Sequence, residues 1–298
     1  MSGTADAVAV IGLGIMGSAI ARNLLARGTR IVGYDIAPER ITAFASAGGK
    51  PVGSAREAAT LADTVLTSLP SAAALDATVA GILAAPRREL ILVELSTLPL
   101  QDKEHSRDRL AVSGITMLDC PLSGTGAQAV TGDLAVYASG ERSAYDRVAP
   151  IFSRFARVSH YLGEFGNGSK MKFVANLLVA IHNVATAEAM VLGKHAGLDP
   201  KLIVDVIRSG AGTSRVFELR APLMASDVYE PASMKIDIWQ KDMAIIAAFA
   251  ASIGVSVPLF AASAPIYDAA VAGGLGPQDT AAVCRVIEAM SVLPALNA

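Results

Sequence analysis

At 298 residues, with 52% hydrophobic and 17% charged side chains, the chain has apolar mass for one large domain or two ordinary ones. A net charge of −2 and a pI near 6.1 argue against a nucleic-acid partner. Mean hydropathy is +0.46, yet apolar runs such as 174–181 and 243–251 fall short of the ~18 residues a membrane span needs, so no membrane partner is expected.

The N-terminus has neither a basic region nor a cleavage site. Cys120 and Cys284 form no close-spaced pair, and His105, His160, His182 and His195 lack metal-ligand spacing. The expectation is a cytoplasmic protein with no metal.

The chain opens with an apolar strand over residues 7–11, followed at once by Gly12-Leu13-Gly14-Ile15-Met16-Gly17. A helical pattern runs from Met16 to Ala26 and stops at Gly28, and a second strand over 30–34 ends at Asp35. This is the order of a dinucleotide-binding unit. Gly12 makes the tight turn, Gly14 admits a pyrophosphate to the backbone, and Gly17 lets the helix pack close to the strand. The helix N-terminus then offers free N–H groups and its positive dipole end. Asp35 can accept hydrogen bonds from the adenosine ribose and would repel a 2′-phosphate, which favours NAD over NADP. The alternative for Asp35 is a solvated turn residue.

Pro38 starts a helix that ends at Gly48-Gly49, and Ser54 with Glu57 reads as a capping box. Strands are expected over 64–69, 90–95, 115–119, 134–139 and 156–161. Helices are expected from Pro99 to 111 and over 143–155. The alternation implies a parallel, doubly wound sheet with ligands beyond the carboxyl ends of its strands. Leu69-Pro70-Ser71, Ser96-Thr97 and residues 121–125 occupy such ends, though turn chemistry alone can explain them. The richest loop is Asp119-Cys120-Pro121-Leu122-Ser123-Gly124-Thr125-Gly126. Its small residues expose backbone N–H groups, and Ser123 and Thr125 add hydroxyls, so it can hold a carboxylate without a charge. With no nucleophile elbow and no nearby base, Ser123 is not read as a nucleophile. Cys120 reads as a small buried residue.

Residues 162–197 organise the rest. Gly163, Gly166 and Gly168 open this span, Gly197 closes it, and no proline interrupts. A helix over 168–195 would run roughly 40 Å, enough to join a strand–helix domain over 1–163 to an all-helical domain over 164–298. Lys170 precedes the apolar stripe Val174, Leu177, Leu178 and Ile181 and extends past it to water. Lys172 heads a different face, with Asn176 one turn on. An amine and an amide at this spacing can grip one polar substrate atom, Lys172 moving the proton and Asn176 orienting it. Two solvated polar residues are the alternative. A free lysine has a pKa near ~10.4 and a base at neutral pH needs ~7–8, so burial and a second cation would have to lower it.

Asp199-Pro200 begins a helix to 208, another covers 215–224, and a long one spans 234–253. The last is apolar almost all round, through Ile238, Ile245 and Phe249 on one side and Trp239, Met243, Ile246 and Ile253 on another, so it is expected to be buried. Lys241 and Asp242 interrupt it. Either Asp237 pairs with Lys241 one turn away, or the cation turns into a cleft near Lys172. Helices over 258–272 and 280–290 complete an alanine-rich half suited to packing against another copy, as a homodimer or homotetramer.

By its motifs the chain resembles the β-hydroxyacid dehydrogenase family, which includes 3-hydroxyisobutyrate dehydrogenase, tartronate semialdehyde reductase and the glyoxylate/succinic semialdehyde reductases. GLGIMG at 12–17 resembles the cofactor signature, DCPLSGTGAQAVTGDL at 119–134 the substrate loop, GNGSKMKFVAN at 166–176 the catalytic signature, and WQKDM at 239–243 the C-terminal Lys-Asp motif. The resemblance implies a lysine-dependent NAD(P) oxidoreductase acting on a small carboxylate-bearing hydroxyacid or the matching semialdehyde. It places the catalytic lysine on Lys172 and not on Lys170. It also implies that Ser123, Gly124 and Asn176 hold the substrate, that Lys241 meets its carboxylate, and that Leu69, Pro70 and Thr97 line the nicotinamide site. Departures fall in the substrate pocket: Cys120, Leu122 and Thr125 stand where Ala, Val and Gly are usual, Met234 where phenylalanine is common, and Ala175 where a second asparagine often precedes Asn176. Imine reductases share the architecture but typically lack the lysine. Phosphogluconate dehydrogenases are longer and carry an acid where this chain has Val179. A non-catalytic nucleotide-binding module is the remaining alternative.

Overall fold

The structure, a computed structural model, describes residues 7–86 and 89–291. The chain divides into two compact units, Met1–Lys172 and Phe173–Ala298.

The first unit is built on six parallel strands: β1 (Val8–Ile11), β2 (Ile31–Tyr34), β3 (Lys50–Pro51), β4 (Thr64–Thr67), β5 (Ile91–Glu94) and β6 (Thr116–Asp119). Their spatial order is β3-β2-β1-β4-β5-β6. The connecting helices are α1 (Ile15–Ala26), α2 (Pro38–Ser46), α3 (Ala55–Leu61), α4 (Ala72–Leu83) and α5 (Leu100–Ala111). Alternate strand residues feed two separate cores. Val10, Leu66, Val93 and Leu118 join one, and Ile11, Val65, Leu92 and Met117 join the other. That is why the strands read as unbroken apolar runs: both faces of the sheet are covered. The strand order reverses between β1 and β4, the point at which sheets of this kind bind ligands beyond the carboxyl ends of their strands.

The later strands leave this pattern. β7 (Leu122–Ser123) pairs antiparallel with β8 (Ala135–Ala138), which runs parallel to β9 (Val158–Tyr161). This three-stranded sheet meets β6 through an antiparallel bridge between Asp119 and Ser139. The single parallel sheet expected from alternation is therefore two sheets. Pro121 lacks an N–H for a ladder, and the chain turns back there. Between them α6 (Gly126–Thr131) was not anticipated, nor was α4. Both start at side-chain caps: Ser71 accepts from the Ala74 N–H at 3.2 Å, and Thr125 with Gln128 forms a reciprocal capping box. At Ser54 the box is only half formed. Its hydroxyl accepts from Glu57 N–H at 3.1 Å, but the Glu57 carboxylate reaches Gly53 N–H instead, at 2.7 Å. Helix α7 (Arg142–Phe152) covers the small sheet.

Helix α8 (Asn167–His195) has 29 residues, and the boundary between the units falls inside it. By length and composition it is apolar enough to cross a membrane, with a mean hydropathy of 1.4 over its best window. Reading uninterrupted apolar runs overlooked this, because small polar residues are interleaved with the apolar ones. Its buried positions carry Lys172, Asn176, Asn183 and Thr186, whereas Val174 and Leu178 are exposed. Asn183 donates to Tyr267 Oη at 3.0 Å and to the Thr280 carbonyl at 2.9 Å, which fixes α8 in the core of the second unit.

That unit continues with α9 (Pro200–Arg208), capped by Asp199, then α10 (Arg215–Ser226), α11 (Ile236–Ser252) and α12 (Pro258–Ala272). A 3-10 turn at Thr280–Ala282 leads into α13 (Val283–Met290). Helix α11 is not buried all round as its composition suggested. Trp239, Met243 and Ile246 are inside, but Ile238 and Ile253 are exposed at 47% and 56%. Hydrophobic periodicity does not separate a core face from an exposed apolar one.

Candidate active site

The glycine turn sits at the switch point of the sheet. Gly12 has a φ of +89°, and a Cβ there would lie 2.2 Å from the Ser68 carbonyl, so the loops after β1 and β4 touch backbone to backbone. A Cβ on Gly17 would lie 1.9 Å from the Gly12 carbonyl, which holds α1 against the turn. Gly14 differs: a Cβ there would meet nothing nearer than Arg40 Nη1 at 3.9 Å. It is also the N-cap of α1, and no side chain caps that helix. An open approach to the first-turn N–H groups of Ile15, Met16 and Gly17 is what a pyrophosphate requires. Ile15 is 57% exposed at this rim.

Asp35 is buried, so it is not the solvated turn residue that the sequence allowed as an alternative. Its Oδ2 accepts from Leu13 N–H at 2.7 Å and its Oδ1 from Ala37 N–H at 2.9 Å, with Arg40 Nη1 at 3.4 Å. It thus shapes the glycine turn and its own turn together. Oδ2 has two donors, while Oδ1 has one and retains a second acceptor site for a ribose hydroxyl. The residues present therefore fit a dinucleotide.

Leu69 and Thr97 stand on neighbouring strand ends. The Leu69 N–H donates to Ser96 Oγ at 2.7 Å, which pins the β4 loop to the β5 loop, while Pro70 is exposed beside them. In the 119–126 loop, Gly124 has a φ of +138°, and Ser123 is half-buried at the end of β7. The Thr125 hydroxyl takes part in the α6 cap, accepting from Gln128 N–H at 3.4 Å. Cys120 has no exposed surface; burial, reinforced by Asp119, pushes its thiol far up, so it is an inert core residue.

Lys172 is 8% exposed and Asn176 4% exposed, one turn apart on α8, so neither is a solvated surface residue. Lys170 is exposed and reaches Asn167 Oδ1 at 3.2 Å. Within the second unit, Asn176 Nδ2 donates to Asp242 Oδ2 at 3.0 Å, and Lys241 Nζ lies 3.0 Å from Asp242 Oδ1. Asp242 thus brings Asn176 and Lys241 together. Sequence spacing offered Asp237 as the lysine's partner and gave Asp242 no task.

Sequence reading also missed a buried ionic cluster at the strand ends of the first unit. Lys103 Nζ lies 2.6 Å from Glu94 Oε2 and 2.8 Å from Asp119 Oδ1, and all three side chains have no exposed surface. Burial is the largest influence on Lys103 and opposes its charge, but Asp119 and Glu94 outweigh it and hold the ammonium well above its ordinary range. The available signal was a carboxylate inside each of two apolar strands, ILVE and TMLD, since a buried acid needs a partner.

Comparison with known proteins agrees with this architecture. Residues 7–163 match the family model described as the NAD binding domain of 6-phosphogluconate dehydrogenase. Residues 166–287 match the one described as "NAD-binding of NADP-dependent 3-hydroxyisobutyrate dehydrogenase". An L-threonate dehydrogenase from Cupriavidus necator is 35% identical over 94% of this chain and 95% of its own length. A 3-hydroxyisobutyrate dehydrogenase from Pseudomonas aeruginosa is 28% identical over 87% of this chain and 90% of its own. The solved Mycobacterium tuberculosis 3-hydroxyisobutyrate dehydrogenase with L-serine has a TM-score of 0.86 at 28% identity, covering 95% of this chain and 99% of that one. Matched along both halves and built on the same sheet and helices, the chain belongs to the β-hydroxyacid dehydrogenase family of NAD(P)-dependent oxidoreductases.

Proposed function

We propose that the chain is an NAD-linked dehydrogenase of a small, polyhydroxylated carboxylic acid of the L-threonate type, with Lys172 as the proton-transfer group. One observation carries this reading: Lys172 is a buried lysine one turn ahead of a buried asparagine whose amide is held by Asp242. A lysine this deeply buried calls for a chemical reason. When bound, the dinucleotide supplies the hydride acceptor. Lys172 takes the proton from the substrate hydroxyl as the carbon gives up hydride, and in the reverse direction it returns that proton. Asn176, with one Nδ2–H committed to Asp242, donates the other to the oxygen of the same hydroxyl and orients it. Ser123, Gly124, Thr125 and the Lys241 ammonium receive the carboxylate. Leu69, Pro70 and Thr97 flank the nicotinamide, and Gly12 to Gly17 hold the pyrophosphate.

The choice of acid is supported by the name of the 35% identical relative, and the preference for NAD by Asp35 at the ribose position. Exposed apolar side chains of the second unit, among them Val174, Leu178, Leu202, Val206 and Leu259, support a homodimer or homotetramer. The two free, buried cysteines suit a reducing, cytoplasmic setting. The test is absorbance at the reduced-cofactor band with L-threonate, 3-hydroxyisobutyrate, L-serine and 2-(hydroxymethyl)glutarate, each with NAD and NADP. L-Threonate with NAD is expected to give the highest kcat/KM. Binding of NAD with no turnover of any acid would instead indicate a nucleotide-binding module.

A further inference from the structure

The Lys103 cluster is part of a longer chain of bonds. Lys103 Nζ also donates to the Ser96 carbonyl at 2.7 Å. On one side, Glu94 Oε1 accepts from Ser96 N–H at 2.9 Å, and Ser96 Oγ accepts from Leu69 N–H at 2.7 Å. On the other, Asp119 Oδ2 accepts from Ser169 N–H at 2.7 Å and Asp119 Oδ1 from Ser169 Oγ at 2.8 Å. The path Leu69–Ser96–Glu94–Lys103–Asp119–Ser169 therefore joins the tips of β4 and β5 to the first turn of α8, three residues before Lys172.

The charge arrangement suits that end point. Two carboxylates share one ammonium, and the surplus negative charge meets the positive end of the helix dipole. The next N–H, that of Gly168, donates to Ser139 Oγ at 2.9 Å. A Cβ on Gly168 would lie 2.3 Å from the Tyr137 carbonyl and 2.6 Å from that of Asp119, so the helix start lies in backbone contact with the sheet. Well-packed apolar residues usually hold a fold as well as a buried ion cluster does. What this cluster adds is fixed direction and distance.

We propose that Lys103, clamped between Glu94 and Asp119, is a positioning residue for hydride transfer: it locks the nicotinamide-side loops at Leu69 and Ser96–Thr97 to the N-terminal turn of α8, and so fixes where the Lys172 amine stands. This rests on the role proposed for Lys172. It concerns only the first unit, in which every residue of the path lies.

The test compares Lys103→Met and Ser169→Ala with the unaltered full-length protein. Ser169→Ala removes one hydrogen bond and keeps the ion cluster, so it reports even where Lys103→Met does not fold. Steady-state kinetics, NADH binding by fluorescence and amide exchange over residues 68–70, 96–98 and 167–172 are the readouts. Lys103→Met is expected to lower kcat by about 10²-fold, and Ser169→Ala by about tenfold, with NADH affinity kept within about threefold. Exchange is expected to quicken in the strand-tip loops and in the α8 turn together. A folded variant with unaltered kcat, or faster exchange confined to one of the two regions, overturns the proposal. If the unaltered protein turns over no hydroxyacid, the Lys172 reading fails separately, and the paired exchange still decides whether the clamp exists.

Discussion

Asn176 gives its side-chain amide to Asp242 at 3.0 Å, and the Lys241 ammonium sits 3.0 Å from the other oxygen of that carboxylate. One acid therefore sets the orientation of the amide and the place of the cation. Asp242→Asn keeps an acceptor for Asn176 but loses the charge that holds Lys241. KM for the acid is expected to rise by roughly tenfold while kcat falls less. Asp242→Ala, which frees both partners, should lower kcat as well. Steady-state kinetics on the best acid of the panel separates the two, and equal losses in both variants would contradict this division.

Lys172→Ala removes the proposed proton-transfer group and leaves the glycine turn untouched. Turnover is expected to fall by ~10²–10⁴-fold with NAD binding retained. Calorimetric titration of NAD alongside the rate assay provides the check. Survival of turnover would remove Lys172 from the chemistry.

The three glycines of the cofactor turn are expected to fail in different ways. Gly17→Ala forces a Cβ to 1.9 Å from the Gly12 carbonyl, and Gly12→Ala forces one to 2.2 Å from the Ser68 carbonyl. Each should destabilise the fold by about 3 kcal/mol or more, read as a lowered melting temperature. Gly14→Ala meets only a flexible guanidinium at 3.9 Å. It should melt within a few degrees of the parent protein and still lose dinucleotide affinity by about tenfold or more, because the added methyl occupies the pyrophosphate approach. A Gly14→Ala protein that binds NAD normally would show that the pyrophosphate lies elsewhere.

Alkaline pH should unfold the protein well before its arginines titrate. Burial pushes the Cys284 thiol from 9.0 up to about 11 and the Cys120 thiol well above 9.0. Burial likewise pushes the Tyr267 hydroxyl up, and Lys103 is held protonated by its two carboxylates despite its burial. All four hold their protons more tightly when folded. Their contribution to stability is therefore complete below the unfolded values and is lost as pH climbs toward the folded ones. Urea midpoints are expected to be level from neutral pH to about pH 9 and to drop between about pH 9 and 11. Neither thiol should react with a disulfide reagent at pH 8 until the chain is denatured. Rapid labelling of the folded protein would contradict the buried placement.

Local rules carried the reading of the cofactor half. The Gly12–Gly17 turn with Asp35 identified the dinucleotide unit, and Pro38, Gly48 and Asp199 marked helix ends within a residue or two of the observed ones. Helix α4 escaped because AAALDATVAGIL, apolar but for Asp76 and Thr78, has little periodicity. The two-residue β7 is too short for any pattern. At the site, Lys172 and Asn176 share a helix and could be paired by counting residues. Partners that fold together from afar could not: Asp242 lies 66 residues from Asn176, and Asp119 lies 50 from Ser169 and 16 from Lys103. Lys103 stood in what reads as a polar surface helix, and only the fold reveals that its side chain is enclosed.

The carboxylate of Asp35 also ties cofactor choice to loop shape, because the oxygen that accepts from the Leu13 amide belongs to the group expected at the ribose. Switching this scaffold to the phosphorylated dinucleotide by deleting the acid would leave that amide stranded and slacken the turn. A workable redesign keeps a neutral acceptor there, such as asparagine or serine, and recruits the nearby Arg40 guanidinium for the incoming phosphate.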